Sequence, residues 1–124
     1  MKKLLVTLLI SVLSTSAMAE WQIADSNNGL TIYVDPATIR KAGNKAKMWV
    51  MNDYETMENN ELLSQKIQYE FDCQNETGAI LAILSFPGSM GSGQGRSSYK
   101  RLDPMPFSPG SMGEVLWKIA CGKR

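Results

Sequence analysis

None of the 124 residues is a histidine, and that absence removes more chemistry than any motif adds. A Ser-His or Cys-His nucleophile needs imidazole as its base, and His-ligated zinc or haem needs it as a ligand. Glu70 and Asp72 are the most suggestive carboxylates. Their spacing of two places both on the wet side of an alternating strand, where they read as solvated charges and not as an acid/base pair. Nothing marks a Ser-Lys dyad. The run from Gly88 to Gly95 has the composition of a phosphate loop. It lacks the Gly-Lys-Ser/Thr ending and no helical pattern follows it, so it reads as a turn. Met48, Met51, Met57, Met90, Met105 and Met112 are scattered, whereas a copper site needs several on one surface. Trp21, Trp49 and Trp117 read as core residues in preference to a sugar-stacking platform. The expectation is a chain with no cofactor, no metal and no catalytic residues.

Cys73 and Cys121 are the only cysteines. In an exported chain they are most simply a disulfide, enclosing nearly half of the domain; two free thiols or a metal pair are the alternatives. The metal pair would lack histidine and any clustered further soft ligand. A loop of that size corresponds to on the order of 4 kcal/mol of stabilisation when only chain entropy is counted. Two local basic groups remain. Arg40, Lys41, Lys45 and Lys47 form one; Arg96, Lys100 and Arg101 form the other. Their ordinary role is solvated charge. As a binding site, either would meet an acidic glycan or an acidic protein surface.

Export is read from the first segment. Lys2 and Lys3 precede the apolar run Leu4 to Leu13, and Ala17-Met18-Ala19 supplies the small residues of a cleavage site. This is the pattern of a cleavable signal peptide over residues 1–19, with an uncleaved anchor as the alternative. The run is too short to span a bilayer, which takes roughly 20 apolar residues, and no later run is long enough. The domain is then 20–124, a single unit by length. The full sequence counts 13 basic and 12 acidic residues; removal of Lys2 and Lys3 leaves 11 against 12, a net charge of −1. With no global positive field, nucleic-acid binding is not expected.

The elements that would position these residues are mostly strands. Trp21 to Ala24 and Leu30 to Val34 read as strands around the turn Ser26-Asn27-Asn28-Gly29. Asp35 caps a helical turn that Pro36 opens and that ends near Gly43-Asn44. Lys45 to Tyr54 reads as a longer strand, and Glu55 to Glu61 as a loop. In Ser64 to Cys73, Ile67, Tyr69, Phe71 and Cys73 face one way and Lys66, Gln68, Glu70 and Asp72 the other. Ala79 to Phe86 reads as a central strand, followed by a Gly/Ser-rich loop and a short extended piece from Arg96 to Leu102. Ser111 and Glu114 have capping-box spacing, Val115, Leu116, Ile119 and Ala120 form a helical stripe, and Gly122 is a C-cap. The expected fold is α+β: a single antiparallel sheet of about five to six strands, with a C-terminal helix tethered to it by Cys73–Cys121.

These motifs fall in a characteristic order. Trp21 comes first, then Tyr33-Val34-Asp35-Pro36-Ala37-Thr38-Ile39-Arg40, then Lys47-Met48-Trp49-Val50 with Asp53-Tyr54. Tyr69-Glu70-Phe71-Asp72-Cys73, Ser89-Met90-Gly91 with Gly93, Pro109-Gly110-Ser111 and Cys121 follow. Nearly the whole domain in this order resembles the surface-adhesin protein E domain family of Gram-negative bacteria. The resemblance implies the same sheet, helix and disulfide. It also implies a non-enzymatic binding module that recognises host extracellular-matrix and plasma proteins and self-associates, as in a homodimer. Display through a lipid anchor would need a cysteine directly after the apolar run, and neither cysteine is there. The location expected is therefore periplasmic or secreted. Two roles stand side by side: an adhesin-like module binding a host protein or acidic glycan, and a periplasmic envelope-accessory protein with no host ligand. An enzyme with an unmarked site is a weaker third.

Overall fold

A computed structural model of the chain describes residues 20–58, 61–98 and 103–123. The signal-peptide expectation over 1–19 and the basic residues Lys100 and Arg101 lie outside the described residues. The elements are β1 (Gln22–Asn27), β2 (Leu30–Val34), β3 (Arg40–Ala42), β4 (Lys45–Glu58), β5 (Leu62–Asp72), β6 (Thr77–Phe86), β7 (Arg96–Ser97), β8 (Met105–Pro106) and α1 (Met112–Cys121). All pairings are antiparallel, in the order β1-β2-β4-β5-β6-β7, with β3 beside β4 and β8 beside β6.

The sheet therefore has eight strands, not five or six. The additional strands are short and polar. Arg40–Ala42, expected inside a helical turn, instead pairs with Lys45–Lys47, and the turn is a single 3-10 turn over Pro36–Thr38. Asp35 caps that turn as expected, accepting from the Ala37 amide at 3.1 Å. Part of the expected loop after Tyr54 is strand as well: β4 runs on to Glu58, which pairs with Leu62. None of these segments alternates in hydropathy, because all are exposed on both sides. Strand β6 is less central than its apolar sequence suggests. Beyond it lie two strands of two residues each, against Leu84-Ser85 and Thr77-Gly78.

Alternation in the long strands divides the sheet into two faces. Ile32, Val34, Ala46, Met48, Val50 and Phe71 are buried on one, beneath Leu116, Trp117, Ala120 and Cys121 of the helix. The buried stripe of α1 thus centres on Leu116 and Trp117, one residue beyond the stripe read from the sequence; Val115 and Ile119 are half-buried. Trp117 lies in the core and donates its indole N–H to the Asp72 carbonyl at 2.8 Å, so its buried polar atom is satisfied. Phe107 closes the end of the core, with its ring 6.3 Å from Phe71 and 6.1 Å from Trp117. A Cβ on Gly113 would lie 2.8 Å from the Phe107 Cβ, so glycine there lets the first helical turn approach.

Both helix ends are capped. Ser111 accepts from the Glu114 amide at 3.4 Å. The reciprocal half of a capping box is not formed, because the Glu114 carboxylate pairs with Lys118 at 3.2 Å instead. Gly122 ends the helix in the left-handed region, with φ of 66°. Cys73, in the turn after β5, bonds Cys121 in the last helical turn, with 5.5 Å between Cα atoms. Neither cysteine is free. No described helix is long and apolar enough to cross a membrane.

Candidate functional site

The sheet face opposite the helix is built by register. Tyr33, Met51, Lys66 and Leu84 form one row across it. Trp49, Gln68 and Ala82 form the next. Arg40, Lys47 and Glu70 form the third, and Lys45 and Asp72 the fourth. One end of this face is closed by the Gly/Ser-rich segment. Ser64, fully buried, donates to the Gly88 carbonyl at 2.6 Å and accepts from the Gly91 amide at 2.8 Å. Asp53 accepts from the Met90 amide at 2.8 Å. The segment covers Met51, and Met90 at its tip takes a left-handed φ of 52°. It is a folded-back turn held by two side chains, not a phosphate cradle.

In the same row as the covered Met51, the Lys66 ammonium lies over two indoles, 5.8 Å from the Trp21 ring and 5.4 Å from the Trp49 ring. Each contact contributes about 0.5–1 kcal/mol at a half-exposed site. Lys66 forms no ion pair among the described residues. Both indoles are half-buried, so Trp117 is the only core tryptophan of the three. The readable signal for this was parity: Trp49 shares its face with Lys45 and Lys47, and Lys66 shares its face with Gln68 and Glu70.

The first basic group is divided by the same register. Arg40 and Lys47 stand opposite one another on this face, with Glu70 beyond Lys47. Arg40 holds its guanidinium by donating from Nη1 to the Ala37 and Ile39 carbonyls, at 2.8 and 3.0 Å. Lys45 is engaged with Asp72 at 3.3 Å. Lys41 points to the other face: a Cβ on Gly122 would lie 3.3 Å from its Nζ. It therefore sits at the helix C-terminus, where the macrodipole favours a cation. Of the second group, Arg96 is exposed and lines an open cleft of about 630 Å³ with Glu61, Leu62, Ser85, Pro87 and Gln94.

Among the described residues, two titrating groups are perturbed. Asp72 is held down to about 2 by hydrogen bonds from the Asn75 side chain, then from the Asn75 and Gln74 amides, with Lys45 adding to them. It is the cap of the turn leading to Cys73 and Thr77, which explains its shift without any catalytic role. Burial, and then the neighbouring Tyr54, push the Tyr69 phenol up. Tyr69 stacks on Phe71 at 5.5 Å and borders an apolar recess of about 220 Å³ with Ile80, Met105 and Phe107. No group of three or more Cys, Asp or Glu side chains suited to a metal occurs among the described residues.

Fold and face together describe a small domain: a disulfide-pinned sheet that buries one side under a helix and leaves cations and indoles on the other. The chain belongs to the surface-adhesin protein E family, whose pattern matches residues 21–122. Its fold is that of crystal form II of Haemophilus influenzae protein E, with a TM-score of 0.63 at 12% identity, covering 80% of this chain and 91% of that one. Protein E from non-typeable Haemophilus influenzae superposes with a TM-score of 0.61 at 12% identity, covering 87% and 79%. No curated protein sequence matches the chain.

Proposed function

We propose that this chain is an exported, non-enzymatic adhesin-like module whose ligand is a host matrix or plasma protein or an acidic glycan. Membership of a surface-adhesin family supports export and binding. The observation that carries the reading is the face opposite the helix, where Arg40, Lys47 and Lys66 stand among half-buried indoles on a rigid sheet. Contact there is partly electrostatic, and it comes from a local patch because the net charge of 20–124 is −1. Lys45 contributes as a neighbouring cation; Lys41, at the helix end, and Arg96, paired with Ser85 one position from the outer-row Leu84, are not part of this face.

Cell fractionation combined with protease treatment of intact cells tests the reading. The mature chain is expected to start at Glu20, to carry no thiol that alkylates before reduction, and to be reached by protease at the cell surface or found in the medium. Strict retention in the periplasm would contradict the adhesin role and favour an envelope-accessory protein.

A further inference from the structure

We infer that the Trp21–Lys66–Trp49 cluster, with Arg40 and Lys47, is a subsite for a polysaccharide that carries carboxylate or sulfate groups. The inference rests on the binding-module reading and gives it a ligand class and an address.

Three features of the face point to this chemistry. The first is charge. Asp35, at the end of β2 before this face, is buried and caps the 3-10 turn, and Asp72 is taken by Lys45 and its own turn. Asp53, farther along, accepts the Met90 amide. Within the rows of this face, Glu70 is the carboxylate left beside the exposed cations Arg40 and Lys47 and the ammonium of Lys66. Arg40 and Lys47 also face each other directly across the β3–β4 pair, which sets two like charges side by side.

The second feature is preorganisation. Lysine is ordinarily the most mobile of cations, and its ordering entropy opposes binding. Here the ammonium is held over two indole faces and forms no ion pair among the described residues. An anionic group of a ligand meets donors that are already ordered.

The third feature is shape. Trp49 and Gln68 are cross-strand neighbours, so an aromatic surface and an amide with both donors and an acceptor lie side by side. The C–H faces of a pyranose ring pack on an indole while its hydroxyls hydrogen-bond to an amide. The acidic substituents of the same chain then reach Lys66 and the Arg40–Lys47 pair. A protein ligand would instead favour a contiguous apolar centre, and three of the four rows of this face carry charge.

Binding of the oxidised domain, residues 20–124, to heparin is the test, read by surface plasmon resonance and by indole fluorescence. Dextran serves as the uncharged glycan, double-stranded DNA as the polyanion without pyranose rings, and immobilised laminin and vitronectin as protein ligands. Heparin is expected to bind, to be released as salt rises, and to change the emission of Trp21 and Trp49 while the buried Trp117 is unaffected. Lys66→Gln and Trp49→Ala should each weaken heparin by about tenfold, the scale of one lost charge-assisted or stacking contact. Lys118→Gln, on the helix, should leave it unchanged. A thermal melt of each variant separates loss of the site from loss of the fold; should Trp49→Ala unfold, Lys66→Gln with Trp49→Phe carries the comparison. Heparin binding that is absent at low salt, matched by DNA, or indifferent to both variants would overturn the inference. If the domain then still binds laminin or vitronectin, the binding-module reading stands without the glycan subsite; if it binds neither, both fall.

Discussion

Ser64 shows how a single hydroxyl can shape a surface. It has no exposed area, and its oxygen both donates to Gly88 and accepts from Gly91, so it fixes the segment that closes one end of the outer face. Ser64→Ala removes the partner of a half-buried amide and a half-buried carbonyl, a cost of about 1 kcal/mol. Denaturant melts are expected to show that loss, with faster amide exchange at Gly91; an unchanged midpoint would mean that the segment is held elsewhere. Asp72 makes a second residue-level prediction. Its carboxyl is held at about 2, below the ordinary value of 3.8. A depressed carboxylate stabilises the fold above its unfolded pKa, and the contribution disappears as pH falls through the folded one. The urea midpoint of the native protein should therefore drop between about pH 4 and pH 2 more than that of Asp72→Asn, which has no charge to lose. Parallel curves would contradict this role. The tryptophans mark where residue-level reading fell short. Hydrophobicity alone placed all three in the core, and only Trp117 is there. Parity along β4, with Lys45 and Lys47 wet, already put Trp49 outside.

At the scale of elements, the long strands and the helix were legible because each buries one face only. Ile67 and Phe71 alternate with Lys66, Gln68, Glu70 and Asp72, and the buried members are the ones the pattern selects. Arg40–Ala42 and the outer end of β4 were not legible for the opposite reason. They bury nothing, so pairing with a neighbour is their only organising force, and that leaves no period in the sequence. The register of β3 in turn decided the fate of the first basic group. A three-residue strand sends Arg40 to one face and Lys41 to the other, which spacing along the chain could not reveal. The helix depends on its tether. Cys73–Cys121 spans 48 residues, and α1 supplies Leu116, Trp117 and Ala120 to the core. Cys121→Ser is expected to lower stability by up to about 4 kcal/mol, and calorimetric treatments of disulfides apportion that figure differently. Oxidised wild type and variant compared in guanidinium melts decide it; equal midpoints would show that packing of α1 alone holds the sheet closed.

Over the whole molecule, the two faces differ in what they carry. The helix, the disulfide and the aromatic pair Phe107 and Trp117 are concentrated on one side and account for the fold. The other side carries cations and indoles that the core does not need. The architecture is shared with Haemophilus influenzae protein E at 12% identity.

That division is most directly tested by two lysines six positions apart. Lys47 lies on the outer face and Lys41 at the helix end. Surface plasmon resonance of the oxidised domain over immobilised laminin, vitronectin and heparin, at low and physiological salt, is run with wild type, Lys47→Gln and Lys41→Gln. At least one of the three surfaces should capture wild type, less strongly as salt shortens the screening length to about 8 Å. Lys47→Gln should weaken that capture several-fold, about 1 kcal/mol, and Lys41→Gln should match wild type. No capture at low salt by any surface, or equal losses from the two substitutions, would contradict the assignment of binding to the face opposite the helix.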